Sequence, residues 1–374
     1  MKLEKTIRIC HFSSVHNATD IRIFHKECVS IAQMGYSITL IAAAEKEEEY
    51  TLNSVKVITM VNPFKSRISR IRRFSKMVYE RAKLINADVY HFHDPELLSY
   101  GAKLIKAGKK VIYDAHEDVP RQILTKGWIP HVFRKLIANL FERYENKISK
   151  KLSGIIAATP LIEKRFLKNN KNTICVYNSP LLKEFNLSIK PDISSKNIVY
   201  IGLITRERGI VELIQCLDCV DAELQLAGKF ESEALKNKCI ALNGWRKVHY
   251  HGVVDRDKIA SLLQSSSIGM VTLHPTMNYL ESLPIKMFEY MAAGLPVIAS
   301  NFPYWRSIVE GNNAGKCVDP MDFNSIANAI NLLLNDRQLA EQMGSNGRKI
   351  ITEKYNWNTE SIKLINFYKE LIKI

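Results

Sequence analysis

Along most of the chain, short apolar runs rich in Val, Ile and Leu alternate with polar junctions and with stretches whose apolar residues recur at helical spacing. In the first half the runs fall at 7–12, 37–43, 55–60, 88–94, 110–116, 154–159 and 173–178. In the second half they fall at 198–202, 224–228, 248–252, 268–273, 296–300 and 314–318. Continuous apolar strands separated by helices mark parallel sheets covered on both faces. Two such series predict an α/β chain of two Rossmann-like, doubly wound domains. The pattern breaks at "SPLLKEFNLSIKPDISSK" (179–196), which places the domains at 1–180 and 196–354. An amphipathic helix is predicted over 355–374, crossing back towards the first domain. Ligands of open parallel sheets bind beyond the carboxyl ends of the strands. The loops there, facing one another across a central cleft, are where function is expected.

Composition narrows the class. A chain of 374 residues, 46% hydrophobic and 24% charged, is globular. No run approaches the roughly 20 apolar residues that span a bilayer. The start, "MKLEKTIRICHF", runs straight into a strand pattern, so no signal peptide is expected. Seven scattered cysteines point to reduced thiols and a cytoplasmic setting. Charge is lopsided: residues 1–190 hold 33 Lys and Arg against 18 Asp and Glu, whereas 191–374 hold 20 of each. The first half is therefore expected to meet something anionic.

The sharpest motif is "ESLPIKMFEYMAAGLPVIAS" (281–300). Ser282 at or near an N-cap and Pro284 in the first turn start a helix, and Gly294 ends it. The helix is apolar nearly all round and so buried, which requires Glu289 to have donors: Lys286 one turn back, or a ligand's hydroxyls. A helix N-terminus suits a diphosphate, and five residues further in lies about 7–8 Å along the axis, a plausible step from phosphate to ribose. Two readings stand side by side here. One is a capped helix with a Lys286–Glu289 pair; the other is a nucleotide sugar held by Glu281, the helix mouth and Glu289.

The spacing E-x7-E followed by "YMAAGLPVIAS" closely resembles the signature of the family-4 (group 1) glycosyltransferases of the GT-B fold. "HFSSVHNATDIRIFHKECVSIAQMGYSITLI", "DVYHFHDPELL", "VIYDAHEDVP", "YIGLITRERGIVELI", "LQLAG" and "HGVVDRDKIASLLQSSSIGMV" follow in that family's order over nearly the whole chain. The resemblance implies retaining transfer of a sugar from a UDP- or GDP-linked donor, without a metal or other cofactor. The acceptor it implies is a glycan or a polyprenyl-diphosphate-linked lipid, as in O-antigen, capsule or exopolysaccharide assembly. It puts Glu281 near the donor sugar, Glu289 on the ribose, and Arg206 and Arg208 on the diphosphate, with His116 beside the reacting sugar. Glu281, His116 and Arg208 are thus the catalytic candidates. Gly202, Gly228, Lys229, Gly252, Val253, Ser282, Leu283, Pro284 and Ile285 complete the donor side. Two departures stand out. Leu203 follows Gly202 where the family often has Arg, and Arg208 replaces a usual lysine, an exchange that keeps a phosphate ligand. The first loop, "SSVHNATD", lacks the common glycines, so Ser14, His16 or Arg22 is expected to supply contacts on the acceptor side. The alternatives are an epimerase of the same fold, converting the donor alone, and a non-enzymatic nucleic-acid-binding protein that would bind through the basic first half.

Other features have plainer readings. His91 and His93 share one face of a strand; without an evident third and fourth ligand, His93 and Asp94 are read as cleft-edge residues rather than metal ligands. Asp255-x-Asp257 precedes a helix and is read as an N-cap. Cys216 and Cys219 lack a second pair and are read as buried small side chains. Residues 65–83 carry eight basic residues and one acidic, with Ile68, Ile71, Phe74, Met77 and Val78 at helical spacing. Together with "GWIPHVFRKLIANLFERYENKISKK" they predict docking on an anionic membrane, at the inner face of the cytoplasmic membrane. No nucleic-acid partner is expected, because no recognisable module is present.

Overall fold

The computed structural model describes residues 6–184, 190–280 and 282–373. The chain divides into two compact units, Met1–Asn178 with Asn358–Ile374, and Ser179–Trp357.

The first unit holds β1 (Arg8–Asn17), β2 (Ser37–Ala44), β3 (Glu49–Leu52), β4 (Val55–Val61), β5 (Val89–Phe92), β6 (Lys110–Ala115), β7 (Gly154–Ala157) and β8 (Thr173–Cys175). They form one sheet in the order β3-β4-β2-β1-β5-β6-β7-β8. All pairings are parallel except β3 with β4. The seven apolar runs predicted in this half all appear as strands, although β1 runs on to Asn17 instead of stopping at Phe12. β3 was not predicted. Its residues, "EYTL", are too polar to read as a buried strand, and it is held by a two-residue turn in which Asn53 and Ser54 take φ of 51° and 64°.

The second unit holds β9 (Asn197–Ile201), β10 (Glu223–Ala227), β11 (Val248–Gly252), β12 (Ile268–Val271), β13 (Val297–Ser300) and β14 (Gly315–Val318). Their order is β11-β10-β9-β12-β13-β14, parallel throughout. Apolar side chains fill both faces of this sheet, Ile198, Tyr200 and Leu226 towards one and Val199, Val271 and Trp305 towards the other. That two-sided burial is why its strands read as unbroken apolar runs.

In each unit the strand order reverses once, between β1 and β5 and between β9 and β12. The switch point is where an open α/β sheet leaves a crevice beyond its strand ends. The last helix, Trp357–Lys373, packs within the first unit: a Cβ on Gly154 would collide with Phe367, and Lys110 Nζ donates to Leu371 O at 2.7 Å. All seven cysteines are free thiols. Cys216 is buried as expected, but Cys219 is exposed on a short 3-10 turn. Asp255 does cap its helix, accepting from Lys258 N at 2.8 Å.

Candidate functional site

Around the β9/β12 switch point, the strand ends of the second unit are built from glycines. Gly202 and Gly228 follow β9 and β10 with φ of 125° and 143°. A Cβ on Gly228 would lie 1.8 Å from Gly202 O, so the two backbones meet where no other residue fits. Beyond Gly202, Thr205 caps a 3-10 turn that carries Arg206 and Arg208. Arg206 points to solvent, whereas Arg208 is half-buried with Nε 3.4 Å from Tyr279 Oη. Lys229 and Val253 follow the neighbouring strands and are exposed, and Gly252 is the last residue of β11.

The helix of the central motif spans Ile285–Ala293 and ends at Gly294 with φ of 83°. Its N-cap is Pro284 rather than Ser282, and no side chain among the described residues caps it. Ser282 is instead used by its backbone, whose carbonyl accepts from Trp305 Nε1 at 2.7 Å. Leu283, Pro284 and Ile285 are partly exposed around this uncapped mouth. Glu281 lies outside the described residues.

Glu289 is not paired with Lys286. Arg256 Nη1 donates to Glu289 Oε1 at 3.0 Å. Lys286 is turned into the buried side of the helix, with Nζ 3.6 Å from the centroid of the Tyr200 ring and no hydrogen-bond partner among the described residues. Burial, then the neighbouring Arg208, pushes its ammonium well below the usual lysine range. A Cβ on Gly202 would stand 3.6 Å from Arg208 Nη1 and 3.8 Å from Lys286 Nζ. Two cations therefore converge on the end of β9, where like charges repel unless an anion joins them. Lys286 was seen in the sequence only as a possible partner of Glu289. The signal for its other use was Leu203, which leaves the end of β9 short of a cation.

The first unit gathers its polar residues around the other switch point. Arg22 was expected to contact a ligand. Instead it is 4% exposed, with Nε and Nη2 on Asp114 at 3.0 and 2.8 Å and Nη1 on Val176 O at 3.0 Å. A buried guanidinium needs partners, and these use its fork up. Ser14 and Asp94 are likewise buried, their side chains 3.2 Å apart, with Asp94 also accepting from Ser13 Oγ at 2.9 Å. His93 is also buried, and neither it nor Asp94 forms an edge. The partly exposed members are His16 and His116, whose ring centroids are 5.0 Å apart. His116 Nε2 lies 2.6 Å from Asp114 Oδ2, so the carboxylate orients the ring and directs Nδ1 away from it. Burial opposes ionisation of Asp114, but Arg22 and then His116 hold its carboxyl well below the usual range. His11, Glu27 and Tyr368 join this network and were not singled out from the sequence. They are far apart in the chain and meet only because β1 pairs with β5 and the last helix packs alongside.

Two parallel, doubly wound units in one chain, each with its polar cluster at the switch point, define the GT-B fold. Residues 25–178 match the family described as "Glycosyltransferase Family 4" and residues 186–350 that described as "Glycosyl transferases group 1". The chain belongs to the group 1, family-4 glycosyltransferases. It is 28% identical over 190 residues to an uncharacterized glycosyltransferase of Methanocaldococcus jannaschii, a match covering 50% of this chain and 47% of that protein, so about half of its length. It is 21% identical over 351 residues to the phosphatidyl-myo-inositol mannosyltransferase of Mycobacterium leprae, covering 90% and 88%. The crystal structure of Anabaena HepE in complex with UDP and glucose superposes with a TM-score of 0.71 at 18% identity, covering 97% of this chain and 100% of that one.

Proposed function

We propose that the protein moves a hexosyl group from a UDP- or GDP-linked donor to a lipid-linked glycan acceptor, retaining the anomeric configuration, in cell-surface polysaccharide assembly. The observation that carries this reading is the convergence of Arg208 and Lys286 on Gly202, with the lysine Nζ unpartnered among the described residues. A diphosphate is the ligand that would satisfy both cations and the uncapped amides of the helix at Ile285. Glu289, fixed by Arg256, then accepts from the ribose hydroxyls. Transfer occurs on one face of the sugar: the bond from C1 to the diphosphate oxygen breaks as the bond to the acceptor oxygen forms. The acceptor's proton passes to the leaving diphosphate, whose charge Arg208 and Lys286 offset, so no metal is called on there.

Docking on an anionic membrane belongs to the same proposal. The two basic stretches differ in how they support it. Phe74 and Val78 of the first are core residues, whereas Ile68 and Met77 are exposed, so only part of its apolar stripe is used internally. The second, helix His131–Ser149, exposes Val132, Phe133, Leu136 and Leu140, with Trp128 beside it under Arg67 at 4.7 Å. An apolar face edged with cations is what a peripheral membrane helix requires. Among the described residues no helix is long and apolar enough to cross a bilayer.

The test is to mix the protein with UDP- and GDP-sugars and polyprenyl-diphosphate-linked sugars on anionic vesicles, without added divalent ion. Acceptor-dependent release of the nucleoside diphosphate, with the product's anomeric configuration that of the donor, is expected. Donor conversion with no acceptor would instead make it an epimerase.

A further inference from the structure

Three imidazoles and a carboxylate meet inside the first unit, and the proposed transfer uses none of them. His11 stands on β1, His91 on β5, His93 just after it, and Glu27 in the π-type helix Ile21–Cys28. None is more than 2% exposed. Register brings them together: His11 pairs directly with His91 across the β1/β5 ladder. One ligand atom from each of the four lies within 4.8 Å of all the others.

Each ring is held by one of its nitrogens. The Tyr368 hydroxyl lies 2.7 Å from His91 Nδ1 and 3.2 Å from His11 Nε2. Asp114 Oδ2 lies 3.2 Å from His93 Nδ1. The nitrogens left over are His11 Nδ1 and His93 Nε2, 3.1 Å apart, and His91 Nε2, which has no partner among the described residues. Metal-bound histidines characteristically have the opposite ring nitrogen fixed by an oxygen in this way. Tetrahedral zinc, with bonds of about 2.0–2.1 Å, sets its donors about 3.3–3.5 Å apart, close to the His11–His93 separation.

Glu27 supplies the fourth donor. Neither of its oxygens accepts a hydrogen bond among the described residues. Arg22 Nε is 3.1 Å from Glu27 Oε1, but the same guanidinium serves Asp114. A buried carboxylate with so little compensation is costly unless a proton or a cation joins it.

We propose that His11, His91, His93 and Glu27 form a closed, four-coordinate site for a divalent transition-metal ion, zinc being the ion that three imidazoles and a carboxylate suit. With four protein donors no position is left for substrate, so the ion ties β1, β5 and, through Tyr368, the last helix together. The competing arrangement keeps the site metal-free, with a proton shared between Glu27 and Asp114.

The test uses the full chain, expressed without a histidine tag in zinc-supplemented cells and dialysed against a weak chelator. About one equivalent of zinc per chain is expected by mass spectrometry. The cobalt-grown protein should show the visible bands of a four-coordinate ion. His91→Gln and Glu27→Gln should each cut metal content at least tenfold, while the exposed His249→Gln leaves it unchanged. If His91→Gln fails to fold, Glu27→Gln carries the comparison. Wild type with under about a tenth of an equivalent, and a melting temperature indifferent to zinc, would overturn the site in favour of the shared proton. Zinc lost in His116→Gln but kept in His91→Gln would also overturn it, moving the ion to His93, Asp114 and His116.

Discussion

Lys286→Met isolates the buried cation at the end of β9 while keeping the side chain's length. Two effects of opposite sign follow. In the unliganded protein, burial disfavours the charged ammonium, so its folded-state value is lowered below the ordinary 10.5. For a base lowered on folding, stability is reduced at neutral pH and recovers as pH rises from the folded value towards the unfolded one. Methionine removes that penalty. Leaving a buried polar group unpaired costs about 1–3 kcal/mol, and more when it is charged, against up to about 2 kcal/mol from the contact with the Tyr200 ring. The net expectation is a gain of about 1 kcal/mol, or roughly 2–4 °C in melting temperature for a unit of this size. With a nucleotide bound, the sign reverses. A hydrogen bond to a charged group contributes about 1.5–3 kcal/mol, so UDP or GDP should bind roughly 10- to 150-fold more weakly to the variant. Calorimetric titration of both nucleotides into wild type and variant reads this directly. If Lys286→Met binds within about twofold of wild type while Arg208→Met does not, the diphosphate is not held at Lys286 and the reasoning fails.

Further expectations follow from the same geometry. Gly228→Ala would put a Cβ 1.8 Å from Gly202 O at a φ of 143°, so it should lower stability by at least about 2 kcal/mol and abolish the thermal response to nucleotide. Arg22→Met leaves Asp114 and Glu27 buried together without their guanidinium, which should cost about 3–5 kcal/mol in a urea titration. A loss under about 1 kcal/mol would mean water reaches the pair. His16 is raised above its ordinary value, burial being outweighed by the hydrogen bond to Asp20 and by Asp94. Its contribution to stability should be full below about pH 6.5 and fade as pH rises through the raised value. His16→Gln should therefore lower the urea midpoint at about pH 5.5 and leave it little changed at about pH 9.

The strands were legible because both sheets are covered on both faces, which writes each one as an unbroken apolar run. β3 was not, since an edge strand carrying Glu49 and Thr51 has only one neighbour to satisfy and need not be apolar. Gly294 was readable as a helix stop because the left-handed conformation there favours glycine. The start of the same helix was misread: Ser282 has the right chemistry for a cap, but the chain reaches helical geometry only after Pro284. The Lys286–Glu289 pair failed for a tertiary reason, since the Tyr200 ring and Arg256 each claimed one partner. The shared face of His91 and His93 was correctly given by alternation. That Glu27 and Tyr368 complete their surroundings depends on which strand lies beside which, and no local spacing records that.

The first unit is assembled from both ends of the polypeptide, with 179–357 as an insertion within it. Tyr368 and His11, 3.2 Å apart, are separated by 357 positions. During synthesis the sheet of the first unit emerges early but must wait for the whole second unit to be translated before its last helix arrives. Until then, the faces of Gly154 and His91 that Phe367 and Tyr368 will cover stay open. Domains made in this order are vulnerable to premature release and misassembly. A nonsense mutation within the codons of the last helix would therefore do its damage in the first unit. A truncated first half is a poor stand-in for the intact unit, whereas 179–357, continuous and bounded by two crossings, is the piece most suited to expression alone.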